Sequence, residues 1–229
     1  MSRTATASRL LSQELAKNPI NFTAAKLHRL GVKLGVDLLI YNPVLFWHFH
    51  RLATFDAPVV AEAMCSVFPD ARRFADVGSG SGAYAAALAR RGRTVGACEH
   101  SRFGRWFAGR QGLSCSTFDL NLEPPSNLPP SDVAYCFEVA EHVPPPLGRK
   151  LVDYLLSVAP AVLFTAAQPN QGGHGHINEQ PREYWIAEFA RAGAVYDAPA
   201  TEKFAGALRS PELASWWLAS NCSVFRRQR

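Results

Sequence analysis

The chain has 229 residues, with 24 Lys and Arg against 19 Asp and Glu, a formal charge of +5 at pH 7, and 48% hydrophobic residues. That apolar content, in a chain long enough for one domain with an appendage, excludes a disordered or low-complexity protein. The basic surplus is compatible with nucleic acid or an anionic membrane surface and demonstrates neither.

In chain order, Arg3, Arg9, Glu14 and Lys17 interrupt the first 20 residues, so no secretory signal run is expected there. Leu10, Leu11 and Leu15, and later Ala24, Leu27 and Leu30, recur at helical spacing. Leu38 to Trp47 is apolar but half the length of a membrane span, and Asn42-Pro43 is expected to break it. No transmembrane segment is expected, and the stretch reads as buried or covering a site, with a monotopic contact as the alternative. Ala57 to Phe68 is the helix leading into the core, which divides the chain into an N-terminal helical cap at 1–70 and a core at 71–229. From there strands and helices alternate. Strands are expected at Arg73–Val77, Thr94–Glu99, Leu113–Phe118, Val133–Phe137, Ala161–Ala166, Ala194–Tyr196 and Cys222–Arg226. Helices are expected at Ala83–Arg91, Arg102–Gly112, Leu147–Val158 and Arg182–Ala192. Glu123 to Pro130 is a stiff proline-rich loop. This order gives an α/β, doubly wound, largely parallel sheet. Of five cysteines, Cys98, Cys115, Cys136 and Cys222 fall on expected strands and Cys65 does not. None forms a Cys-x-x-Cys pair, so reduced thiols and a cytoplasmic setting are the expectation.

The most informative stretch is Phe74 to Ala83, a strand running into Gly78-Ser79-Gly80-Ser81-Gly82, followed by Glu99 at the end of the next strand. Glycines let the chain turn sharply and let a ligand approach the peptide groups, and a carboxylate about 20 residues on accepts hydrogen bonds from a ribose diol. Gly78-x-Gly80-x-x-Ala83 also fits the dinucleotide pattern. Asp76 decides between them, because a carboxylate two residues before the turn repels a pyrophosphate and favours a ligand with ammonium and sulfonium charges.

These residues resemble the first motif of the class I S-adenosylmethionine-dependent methyltransferases, and the resemblance continues downstream. It implies a Rossmann-like, doubly wound sheet of seven strands in the order 3-2-1-4-5-7-6 with the last strand antiparallel, and S-adenosyl-L-methionine as cofactor. Asp76, Gly78, Ser79, Gly80 and Gly82 match the cofactor turn. Glu99, with His100 beside it, looks like the family's ribose-binding acid. Asp119, between Phe118 and Leu120, looks like the residue that reads the adenine amino group. Asp132 to His142 looks like the fourth strand and the loop under the methyl donor, where Glu138 faces the cofactor.

Methyl transfer from a sulfonium needs alignment of the acceptor and removal of its proton. Two clusters qualify: Glu138-x-x-Glu141-His142, whose positions share one face if the chain turns helically after Phe137, and the Gly-rich loop from Gln168 to Glu179. The layout is similar to ubiquinone-pathway O-methyltransferases and to small-RNA 3′-terminal 2′-O-methyltransferases. In the latter those side chains hold a metal, which points here to Glu138, Glu141, His142 and His176, with His174 as substitute. The other role for His142, His176 and Glu138 is direct catalysis by proton transfer. Tyr41, Phe46, Trp47, His48 and His50 line the expected cap, where aromatics are more often core than substrate wall. The arginines at 90–93 and 226–229 read as solvated ends.

The reading is therefore a methyltransferase that modifies a small molecule at a hydroxyl oxygen. The alternatives are RNA 3′-terminal 2′-O-methylation, against which stand scattered basic residues and no RNA-binding module, and a non-catalytic S-adenosylmethionine-binding protein. Oligomeric state is not readable from the residues.

Overall fold

The computed structural model describes residues 26–27, 30–31, 33–34, 36–40, 42–173, 175–209 and 213–228. The expected helix around Leu10 and Leu15, and Tyr41 and His174, lie outside these residues.

Seven strands form one sheet: β1 (Arg73–Val77), β2 (Thr94–Glu99), β3 (Cys115–Thr117), β4 (Val133–Phe137), β5 (Ala161–Thr165), β6 (Ala194–Tyr196) and β7 (Cys222–Arg227). Their order is β3-β2-β1-β4-β5-β7-β6, as the resemblance implied. The first five strands run parallel and β7 runs antiparallel to both β5 and β6. Successive residues of a strand point to opposite faces, so β1 sends Phe74 into one core layer and Ala75 into the other. Both faces are covered, which is why these strands read as continuous apolar runs.

The helices are α1 (Asp37–Ile40), α2 (Pro43–Val67), α3 (Ala83–Arg90), α4 (Arg102–Arg110), α5 (Pro145–Val158), α6 (Arg182–Arg191), α7 (Ala198–Arg209) and α8 (Leu218–Asn221). Asn42-Pro43 does not break a helix, as the sequence suggested, but starts one of 25 residues. The Asn42 side chain accepts the Leu45 N–H (3.0 Å), and Pro43 sits where no N–H is needed. The second half of α2 buries Val60, Met64 and Val67 with Phe74, Leu88, Tyr135 and Phe204, so the helix runs from the expected cap into the core without a break. The opposite layer packs Leu151, Leu155, Trp185 and Phe189 on Val162, Phe164 and Phe225, with the Phe189 and Phe225 rings stacked at 3.8 Å. Helix α7 was not anticipated. Its start is nevertheless written in the chain, since the Asp197 side chain accepts the Ala200 N–H (3.0 Å) and Pro199 occupies the first turn.

Candidate functional site

The C-terminal ends of β1, β2, β4 and β5 bring two groups of residues side by side. In the first, the turn after β1 is left-handed at Gly78 (φ 75°) and Gly80 (φ 53°). The Gly78 and Ser79 N–H groups donate to the Cys98 carbonyl (2.9 and 3.0 Å), which fastens the turn to the end of β2. The two glycines serve different ends. A Cβ on Gly78 would lie 2.5 Å from a Val139 methyl, whereas one on Gly80 would project into open space. Gly80 is therefore the point where the backbone is offered to a ligand.

Glu99, at the end of β2, is buried and bonded to that turn. Its Oε2 accepts the Gly80 N–H (2.8 Å) and its Oε1 accepts the Ser101 N–H (2.7 Å), and each oxygen keeps a second lone pair. Burial pushes its carboxyl above the usual range, and those backbone bonds oppose the rise. Asp76 is also buried, and its Oδ2 has no hydrogen-bond partner. Burial raises Asp76 to about 8, opposed by the Tyr135 hydroxyl and reinforced by Glu99. An unpartnered buried carboxylate oxygen beside a turn whose Gly80 leaves open space fits a ligand that brings positive charge, so the residues present suit S-adenosylmethionine.

The adenine-side expectations divide. Asp119 is half-buried, and its Oδ1 accepts the Asn121 backbone N–H (2.9 Å) and side-chain amide (3.0 Å), which holds its pKa below the usual carboxylate range. Phe118 and Leu120 pack instead into the core, the Phe118 ring 5.8 Å from Tyr154. His100 places Nδ1 3.2 Å from the Phe118 carbonyl oxygen. One residue at the turn carries no signal in the sequence, Gly104, and it meets Phe46 of the expected cap. A Cβ on Gly104 would lie 2.6 Å from Glu99 Cγ, 2.7 Å from the Gly80 oxygen and 2.8 Å from Phe46. Gly104 thus lets α4, the turn and the start of α2 meet.

The second group follows β4. Glu138 takes a left-handed backbone (φ 53°), with its N–H directed at the Thr165 carbonyl (3.1 Å) and hydroxyl (3.0 Å). Only Ala140–His142 then forms a single 3-10 turn, and Pro145-Pro146 begin α5. The expectation that Glu138, Glu141 and His142 share one helical face is therefore corrected, because Glu138 precedes the turn in a conformation no helix contains. Its carboxylate accepts the Asn221 side-chain amide (3.1 and 3.3 Å) and that of Gln171 (3.3 Å). Nothing in the sequence signals Asn221. It arrives from α8, whose preceding turn is pinned to α2 by Asp56 accepting the Ala214 and Ser215 N–H groups (both 2.8 Å).

Glu141 is completely buried, and neither carboxylate oxygen has a hydrogen-bond partner. Burial and the adjacent Glu138 charge push it well above the usual range. The loop after β5 folds onto this turn, where the Ile177 and Asn178 N–H groups donate to the Glu141 carbonyl (2.8 and 3.1 Å). That contact brings the His176 ring to 5.0 Å from the His142 ring, edge to face. His176 Nδ1 lies 2.8 Å from Glu179 Oε1, and Glu179 also accepts the Asn170 and Gly172 N–H groups (2.9 and 2.8 Å). Those bonds, the one from His176 foremost, hold Glu179 below the usual carboxylate range. They also direct the His176 proton to Nδ1 and leave Nε2 as the acceptor nitrogen. One carboxylate oxygen of Glu141 and one ring nitrogen each of His142 and His176 lie within 4.8 Å of one another. Glu138 stands outside that trio, in the amide network with Gln171 and Asn221. The Val139 methyl against Gly78 joins the two groups of residues.

No family model and no curated protein matches this sequence. Solved structures do. An amino pentose methyltransferase of calicheamicin biosynthesis from Micromonospora echinaspora, solved with S-adenosylmethionine bound, is 17% identical with a TM-score of 0.57, covering 77% of this chain and 92% of its own. The mitomycin 7-O-methyltransferase is 14% identical with a TM-score of 0.62, covering 98% of this chain and 73% of its own. Magnesium protoporphyrin IX methyltransferase from Synechocystis PCC 6803 is 16% identical with a TM-score of 0.55, covering 81% and 87%. What these proteins share with this chain is the fold, and the chain, with its order β3-β2-β1-β4-β5-β7-β6, has the fold of the class I S-adenosylmethionine-dependent methyltransferases.

Proposed function

We propose that this protein is an S-adenosylmethionine-dependent methyltransferase that modifies a small molecule at a hydroxyl oxygen. S-adenosylmethionine supplies a methyl group already activated on a sulfonium. The Gly78–Gly82 turn and Glu99 hold the nucleoside, Asp76 balances the cofactor's positive charge, and Asp119 lies on the adenine side. The observation that supports the reading is the His142–His176 pair, carried by the loops after β4 and β5, together with Val139 of the same β4 loop meeting Gly78. In this reading His176 Nε2, oriented through Glu179, takes the acceptor's hydroxyl proton, and His142 assists. A hydroxyl acceptor needs such a base more than an amine does. The solved relatives that methylate small molecules at oxygen, such as the mitomycin 7-O-methyltransferase, support the substrate class. Five free cysteines, three of them buried on strands, support a reducing, cytoplasmic setting.

A second reading rests on the trio itself. Glu141, His142 and His176 offer two imidazoles and one carboxylate, a donor set that suits a divalent metal, and a cation would relieve the unpartnered buried Glu141. Glu179 would then be the outer carboxylate that orients His176. Calorimetry and a chelator separate the possibilities. Binding of S-adenosylhomocysteine in the micromolar range, with none of NAD, supports the cofactor, and the reverse sinks it. Turnover on an acceptor found by screening hydroxylated compounds should persist in chelator if the histidines move protons. Turnover abolished by chelator and restored by Mg²⁺, Mn²⁺ or Zn²⁺ selects the metal.

A further inference from the structure

Two helix faces beside the cofactor turn have no part in the chemistry above. On α2, Trp47, Arg51 and Phe55 recur every fourth residue, and on α4, Arg102, Trp106 and Arg110 do the same; all six are exposed. The aromatic members keep much of their surface in water, with Trp47 38%, Phe55 48% and Trp106 58% exposed. Within each stripe a guanidinium lies over an indole, Arg51 at 5.1 Å from the Trp47 ring and Arg110 at 5.6 Å from the Trp106 ring. The stripes are joined where the His50 and Phe107 rings meet at 5.2 Å. Neither Pro43 to Phe55 nor α4 contains an acidic residue, and the next acid along α2, Asp56, is buried and committed to Ala214 and Ser215.

Exposed apolar patches are often functional, and this one alternates large aromatics with arginines, with no acidic residue in either helical segment that carries it. Its complement is a surface that is anionic and apolar at once. We propose that the α2–α4 face docks reversibly on a membrane surface carrying anionic lipid headgroups. Trp and Phe seat at the boundary between headgroups and acyl chains, and Arg pairs with lipid phosphates. Single-stranded nucleic acid is the rival partner for Arg and aromatic side chains. The stripes favour lipid, because they hold no Asn, Gln, Ser or Lys to read or track a nucleotide, and Phe55 offers only hydrocarbon. Phe46, next to Trp47 on the same helix, meets α4 at Gly104, which also lies against the Gly80 carbonyl, so docking would set that turn close to the bilayer.

Flotation of the full chain with vesicles tests this directly. Vesicles of phosphatidylcholine and phosphatidylglycerol in equal amounts should carry the protein up, and vesicles of phosphatidylcholine alone should not. Trp106→Ala and Phe55→Ala, on separate helices, should each lower partitioning about tenfold. Arg102→Gln and Arg110→Gln should each lower it about fivefold, with the effect shrinking as salt rises. S-adenosylhomocysteine affinity and the thermal midpoint should stay unchanged in all four. No flotation with anionic vesicles, or flotation indifferent to all four substitutions, overturns the proposal. So does binding of a single-stranded oligonucleotide, or self-association in sedimentation, that is lost in the same variants while vesicles are ignored.

Discussion

The two halves of the candidate site are built from different materials. The turn after β1 is held by its own backbone N–H groups on two neighbouring residues of β2, with Gly78 and Ser79 on the Cys98 carbonyl and Gly80 on the Glu99 carboxylate. The functional side chains after β4 come from three distant places: the Glu138–His142 turn, the loop around His176 that backbone bonds fasten to it, and Asn221 from the last short helix. A cradle made of backbone depends on a few glycines and one carboxylate at fixed spacing. A cluster made of side chains depends on how three loops close, and on charges that burial leaves poorly matched.

The sharpest break between the halves is expected at the His142–His176 pair. His142→Ala should slow the chemical step by about a hundredfold or more while S-adenosylhomocysteine affinity stays nearly intact. Single-turnover kinetics beside calorimetry measures both. Normal turnover in a His142→Ala, His176→Ala double variant would make the second half structural and leave catalysis to alignment alone.

Effects in the first half should fall on affinity instead. Glu99→Ala removes an acceptor of charge-assisted hydrogen bonds and frees the Gly80 and Ser101 N–H groups, so S-adenosylhomocysteine binding should weaken roughly tenfold to several hundredfold. Asp119→Ala should cost less, because its carboxylate is half-exposed and already engaged with Asn121. A larger loss at Asp119 than at Glu99 in calorimetry would mean that the ribose contact is misassigned.

Most of the first half was legible because its signals are local. Gly78, Gly80, Gly82 and Glu99 lie within two strands and one turn; alternation placed those strands in a largely parallel sheet, and the resemblance carried by these residues implied its order. Phe118 and Leu120 show the limit of that method, since they follow the short β3 and their burial against Tyr154 comes from the packing of α5. In the second half the residue types were legible and their arrangement was not. A helical spacing joined Glu138 to Glu141 and His142, but a left-handed residue at Glu138 resets the phase, and a carboxylate gives no local warning of that conformation. Asn221 and Asp56 act across the whole length of the chain, where no periodicity reaches.

A paired glycine substitution sharpens the contrast further. Gly80 and Gly92 both have positive φ (53° and 75°), and a Cβ on either would meet nothing within 4 Å. Replacing either with Ala should therefore cost a similar stability, about 1 kcal/mol from the left-handed backbone. Only Gly80→Ala puts a methyl group into the cradle, so only it should weaken S-adenosylhomocysteine, by about tenfold. Equal affinity losses in the two variants would place the cofactor elsewhere.

A pH dependence tests whether burial of carboxylates is offset by the ligand. Asp76 titrates about 8 in the folded chain against an ordinary 3.8, and Glu99, Glu141 and Asp56 are raised in the same direction by burial. Between these limits the folded state holds more protons than the unfolded one, so stability without ligand falls as pH rises, by at most about 1.4 kcal/mol per pH unit for each group. Asp119 and Glu179 are shifted the opposite way and favour the folded state once pH exceeds their ordinary range, so above pH 6 they add no slope. Thermal midpoints should therefore decline from about pH 6 to about pH 8 and decline less in Asp76→Asn, which removes one titration. The cofactor's ammonium group should pull the Asp76 proton off on binding, flattening the profile of the wild-type protein and releasing a proton measurable by calorimetry in buffers of different ionisation enthalpy. An unchanged slope in Asp76→Asn, with no proton released on binding, would show that Asp76 takes no part in balancing the ligand's charge.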